Sequence, residues 1–136
     1  MTPELIYLSA ALVLAVVQIL LPGVARTAQY GLKWNAGARD EVMPPVGPVT
    51  GRLERAQANL FETLPLFIGA VLIAHVAGVQ DAMTTWGAAL YFWARLIYLP
   101  LYASGVAYLR SVVFLVSLAG LLMLIAAPLL SLIGTP

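Results

Sequence analysis

The sequence predicts an all-α integral membrane protein, a single domain over residues 1–136 built as a bundle of four transmembrane helices. Two observations predict it. The chain is 62% hydrophobic and only 10% charged, where a soluble domain carries about 25% charged residues. Its apolar residues also fall into four runs, each close to the roughly 20 residues a helix needs to cross about 30 Å of hydrocarbon. The net charge of +1 comes without a basic patch interleaved with aromatics, so no nucleic-acid partner is expected. There is no cysteine, which excludes disulfides, thiolate metal sites and a cysteine nucleophile. One histidine, His75, cannot build a multi-histidine site within a chain, so no metal is expected.

The first span covers about residues 5–24 and is interrupted only by Gln18 and Pro22. The second, about 60–79, contains Glu62, Pro65 and His75. Pro65 deprives the Phe61 carbonyl of its helical partner and should kink this span. The third, about 82–102, holds Arg95, and the fourth, about 112–133, has no charge. Between the first two spans, residues 27–50 contain Gly31, Gly37, Gly47, Pro44-Pro45 and Pro48. That composition reads as a loop, with a turn or two of helix continuing from the first span. The remaining connections are tight, so spans two to four should pack as antiparallel neighbours.

Gly69, Ala70, Ala74, Ala77 and Gly78 offer span two small residues for close helix approach. Trp34, Trp86, Trp93 and Tyr7 suit interfacial anchoring. His75 lies roughly 140° around the helix from Glu62 and near the opposite membrane face, which suits packing better than ligation.

Basic residues set the expected orientation. Arg26, Lys33, Arg39, Arg52 and Arg55 lie between spans one and two, and Arg110 between spans three and four. The N-terminal end, the turn 78–85 and the C-terminal tail carry no Lys or Arg. Both termini should therefore face away from the cytoplasm. The N-terminus lacks a basic leader and is not expected to be a signal peptide. The compact termini suggest a bacterial inner membrane.

The most informative stretch is Arg55-Ala56-Gln57-Ala58-Asn59-Leu60-Phe61-Glu62. At roughly 100° per residue, Arg55, Asn59 and Glu62 fall within about 60° of one another on one helix face. Ionisable groups this close to hydrocarbon are costly, and a cluster of them points to a site. The plain alternative is a solvated helix mouth. Span three carries a second polar stripe, Arg95, Tyr98 and Tyr102, ending just before Arg110. Arg95 lies deep enough to need a partner, and Glu62, at comparable depth, is the obvious one; a purely structural Glu62–Arg95 pair would explain both.

Taken together the inventory suits a small zwitterionic peptide. The arginines offer forked donors for carboxylates, Glu62 an acceptor for an ammonium, Asn59 and Gln57 partners for amides, and the tyrosines hydroxyls. Glutathione answers that description. An arginine beside its sulfur would favour the reactive thiolate, and the apolar walls would admit a lipophilic electrophile from the bilayer.

The string Arg55-Ala56-Gln57-x-Asn59-x-x-Glu62-x-x-Pro65-Leu66-Phe67 resembles the signature of the membrane-associated proteins in eicosanoid and glutathione metabolism, the MAPEG family. Arg95-x-x-Tyr98-x-x-x-Tyr102 and Arg110 resemble its other motifs, and the likeness covers nearly the whole chain. It is nearest the cysteinyl-leukotriene synthase and microsomal glutathione transferase branches.

The resemblance implies a homotrimer of four-helix subunits that binds glutathione as co-substrate between neighbours, near the cytoplasmic side, and takes lipophilic small-molecule substrates. Carried over by position, Arg55, Asn59, Glu62, Arg95, Tyr98 and Tyr102 would hold the peptide, with Arg26 and Gln57 contributed by the adjacent subunit. Arg110 would stabilise the thiolate, and Ser111 matches a serine beside that arginine in the prostaglandin E synthase branch. Arg52 reads as a loop or phosphate-facing charge outside the core site.

Some positions depart from the pattern. Tyr98 and Phe114 stand where the prostaglandin branch has a histidine and a tyrosine. The segment Lys33–Asp40 matches neither branch. Arg110 follows Tyr102 by eight residues, one more than the leukotriene branch leads one to expect. The function expected is a glutathione-dependent membrane transferase or peroxidase. The alternative is a non-catalytic lipid-binding or scaffold protein of the same fold.

Overall fold

A computed structural model describes residues 1–134. Its five helices are α1 (Pro3–Tyr30), α2 (Leu32–Ala36), α3 (Pro48–Val76), α4 (Ala82–Ala103) and α5 (Tyr108–Gly134). Local chemistry sets their ends. Thr2 caps α1, its hydroxyl accepting from the Leu5 N–H at 3.4 Å, and Pro3 fills the first turn, where a missing N–H costs nothing. Asp81 caps α4 reciprocally: it accepts from the Thr84 N–H at 2.9 Å, while the Asp81 N–H donates to the Thr84 hydroxyl at 3.0 Å. Gly105, at φ +80°, turns the chain between α4 and α5.

The loop expected over 27–50 is shorter than its composition implied. α1 runs on to Tyr30, α2 fills part of the connection, and α3 begins at Pro48. A proline at a helix start is favourable rather than disruptive, so Pro48 marks an entry. Arg52 and Arg55 consequently ride on the first turns of α3. At its other end α3 stops at Val76, short of residue 79.

α1, α3 and α5 are long and apolar enough to cross a membrane. α4, at 22 residues, is not among them, because its threonines, its several aromatics and Arg95 lower its hydropathy. α3 and α4 form the centre: each touches the other, α1 and α5, whereas α1 and α5 do not meet. Leu8, Ala11 and Ala15 of α1, Leu60, Leu64, Phe67 and Val71 of α3, Ala88 and Tyr91 of α4, and Leu121 and Leu124 of α5 make one core. Phe67 and Tyr91 stack with ring centroids 4.0 Å apart, and the Tyr91 hydroxyl meets that of Thr63 at 2.9 Å. Large side chains such as Val13, Ile73 and Leu115 stand exposed on the outer faces, as a lipid-facing surface requires.

Helices α4 and α5 approach to backbone contact. A Cβ on Gly87 would sit 2.7 Å from the Gly120 carbonyl oxygen, and one on Gly120 would sit 2.5 Å from that of Gly87. Backbones touch there, the use to which membrane helices put small residues. Gly69, expected to serve such a contact, has no atom within 4 Å of its would-be Cβ. At the end of the helices that holds the N-terminus, the buried Glu4 carboxylate accepts from the hydroxyls of Thr84 at 2.7 Å and Thr85 at 2.8 Å, tying α1 to the start of α4.

Candidate functional site

At the opposite end, α3 supplies Arg52 and Arg55, α4 supplies Tyr102, and α5 supplies Arg110. These four, with Gly105 and Ala107 of the α4–α5 turn, line a cavity of about 240 Å³. Arg52 and Arg55 are three residues apart and face the same side of α3. The short α4–α5 turn brings Arg110 back over the last turn of α4. Tyr102 stands between the arginines. Arg55 Nε donates to its hydroxyl at 3.2 Å, and the Arg110 guanidinium lies 4.6 Å from its ring centroid, within cation–π range. Arg52 donates through Nη1 to the Ala103 carbonyl at 3.3 Å. Its guanidinium rests against Gly105, where a Cβ would come within 3.0 Å of Arg52 Cζ. No acidic residue lines the cavity.

About two turns deeper along α4, roughly 10 Å by helix rise, Arg95 is wholly buried. Nη1 donates to Asn59 Oδ1 at 2.6 Å, and the guanidinium stacks 4.4 Å over the Tyr98 ring, with Phe114 at 6.0 Å beyond. Nε and Nη2 of Arg95 are buried with no partner. The sequence pointed to Glu62 as the partner of Arg95, and here the structure differs. Asn59 takes that place, while Glu62 is exposed and forms no ion pair among the described residues. Asn59 and Glu62 stand about 60° apart around the helix, and the placement of α4 leaves Asn59 facing it and Glu62 at the exposed edge. Tyr98, expected to offer its hydroxyl to a peptide, is buried, with its ring 5.5 Å from that of Tyr102.

The other expected site residues lie apart from the cavity. Arg26 donates to Glu54 at 2.8 Å within the same chain, the one ion pair among the described residues. Gln57 is half-buried on α3. Ser111 is exposed, and its hydroxyl donates back to the Ala107 carbonyl at 3.4 Å rather than lining the cavity. Arg52 is the residue that sequence reasoning left out; its signal was the three-residue step to Arg55, hidden by reading its surroundings as the edge of a loop. His75, exposed at the end of α3, pairs with Gln80 at 3.1 Å. No group of three or more His, Asp or Glu among the described residues could hold a metal.

The arrangement is a basic pocket at one end of a largely apolar helix assembly, backed by a buried arginine–asparagine–tyrosine layer. The profile of the MAPEG family matches residues 7–130, nearly the full length of the chain. The chain belongs to the MAPEG family. No curated protein and no solved structure matches it. As a MAPEG chain it is a membrane protein, with three helices apolar enough to span and a family-level tie to glutathione or lipid metabolism.

Proposed function

We propose that this MAPEG chain is a glutathione-dependent transferase or peroxidase acting on lipophilic electrophiles, of the cysteinyl-leukotriene synthase and microsomal glutathione transferase kind. In this reading α4 completes four membrane crossings, shielded by the three helices it touches. Three subunits assemble, with Arg26 and Gln57 facing a neighbour's pocket. Both termini lie outside the cytoplasm, and the host membrane is a bacterial inner membrane.

One observation carries the reading: Arg55 and Arg110, from different helices, converge on Tyr102 in a cavity without a counter-charge. Guanidinia gathered in a half-open cavity without a counter-charge favour an anion. Bound glutathione supplies the sulfur nucleophile. The chain's part is to hold and orient. Arg110 favours the thiolate over the thiol, and Arg55, oriented by its bond to Tyr102, holds a carboxylate. Arg95, wholly buried below the cavity, serves in this reading to hold Asn59 and the Tyr98 ring in place beneath the site. Ser111 turns toward its own helix, so the stabilising role rests on Arg110. Glu62, exposed and unpaired, remains available for an ammonium.

Adding glutathione to the purified protein should raise ultraviolet thiolate absorbance with saturable heat in calorimetry. Absence of both would overturn the reading.

The alternative, a non-catalytic lipid binder, draws on a different feature. An apolar groove of about 340 Å³ runs between α3 and α5 past Pro65 and Pro128. If Arg110→Ala left every activity and ligand affinity intact, that reading would take over.

A further inference from the structure

Charge balance in the basic cavity leaves something over. Arg52, Arg55 and Arg110 bring three positive charges, and none of the six lining residues is acidic. Glutathione as a thiolate carries two carboxylates and one sulfur anion against one ammonium, a net charge of −2. Of the three arginines lining the cavity, the proposed function assigns Arg55 and Arg110 to it, Glu62 being left to its ammonium, and gives Arg52 no part of the peptide.

Arg52 is no loose surface charge. Its Nη1 is fixed to the Ala103 carbonyl at 3.3 Å, and its plane lies on a glycine whose φ of +80° and missing side chain make the contact possible. A side chain held this way keeps its remaining N–H donors aimed at little entropic cost. Its only hydrogen bond is to a neutral carbonyl, which leaves the charge uncompensated.

We propose that Arg52, seated on Gly105, is an oxyanion subsite that recognises a carboxylate- or phosphate-class group on the second reactant, so that the chain prefers amphipathic acids to neutral electrophiles. This rests on the glutathione reading and adds the charge of its partner. The reaction follows from nucleophilic substitution: the sulfur forms a C–S bond at an electrophilic carbon, that carbon's bond to its leaving group breaks, and the leaving group departs with the electron pair. The thiol proton has already passed to solvent. Arg52 touches only the acidic group and takes no part in bond making.

The test uses a matched pair of aryl chlorides, 4-chloro-3-nitrobenzoate and its methyl ester, each rate divided by its uncatalysed rate with glutathione. Turnover is followed in the full-length protein in neutral detergent, beside glutathione calorimetry. The wild-type acid-to-ester ratio should exceed that of Arg52→Gln by about tenfold, the value of one charge-assisted contact. Arg52→Lys should recover part of it, since the charge remains and the fork does not. Gly105→Ala should lower the ratio while keeping every charge, by displacing the guanidinium.

Equal ratios in wild type and Arg52→Gln, with glutathione still bound, would overturn the acid preference and leave the glutathione reading standing. Loss of glutathione binding in the wild type would overturn the glutathione reading itself. If Arg52→Gln instead loosened the oligomer without changing the ratio, a neighbouring subunit's carboxylate would be its partner, and the proposal would fall. Repeating the assay in nanodiscs with and without anionic phospholipid separates the remaining source. Suppression of the acid preference by anionic lipid in wild type but not in Arg52→Gln would assign the subsite to headgroup phosphate and overturn the substrate assignment.

Discussion

At the Glu4 end of the helices a single buried carboxylate is met by two threonine hydroxyls at the start of α4, while at the Arg52 end three guanidinia share a cavity with no acid. Both clusters join α4 to a neighbouring helix. In the first, both hydroxyls converge on one carboxylate oxygen and tie α1 to α4 as a clasp. The second has been left with donors to spare. Three like charges gathered in one cavity repel one another, and in the proposed reading the anion that offsets them is a ligand. In that reading the difference separates a polar group that holds the fold from one that serves a ligand.

The comparison breaks most readily at Arg110. Arg110→Ala should reduce glutathione-dependent turnover by about 10²–10³-fold, the scale on which one preorganised charge acts, while thermal unfolding in detergent shifts little. Unchanged turnover would make the two ends alike. Asn59→Leu should follow, because it removes the only hydrogen-bond acceptor Arg95 has among the described residues. A loss of about 2–3 kcal/mol in unfolding free energy is expected, with Asn59→Asp recovering it. Glu4→Ala strands the hydroxyl of Thr85 and should cost about 1–2 kcal/mol of stability, with glutathione affinity intact. Any fall in affinity would mean that the clasp also shapes the pocket. Smallest is Glu54→Gln. Its pair with Arg26 is about one-third exposed on each side and should be worth no more than about 0.5 kcal/mol, vanishing at high salt.

Much of this arrangement could be read from residue order, and where reading stopped has physical reasons. Hydropathy located the long helices because hydrocarbon demands a minimum apolar length. Spacing singled out Arg55 and Tyr102 because helical faces repeat every three or four residues, while Arg110 entered through the family resemblance. It misjudged the partner of Arg95: Asn59 and Glu62 share a face to within about 60°, and only the placement of α4 decides which of them turns inward. Arg52 escaped because its worth depends on Gly105, fifty-three residues on, whose positive φ and open surface are tertiary facts. The glycine contact escaped likewise. Gly69 and Gly120 look alike in sequence, and only helix placement shows which one meets a backbone.

That contact bears on the eight-residue step from Tyr102 to Arg110. Gly120 is ten residues beyond Arg110 on one continuous helix, roughly 15 Å along its axis. Because α5 is pinned to α4 at Gly120, its angular phase is set there and not by the link at 104–107. A residue gained in that link can bulge outward without rotating the helix. The length of the turn can therefore change without redirecting Arg110, whose direction is set by a glycine three helical turns away.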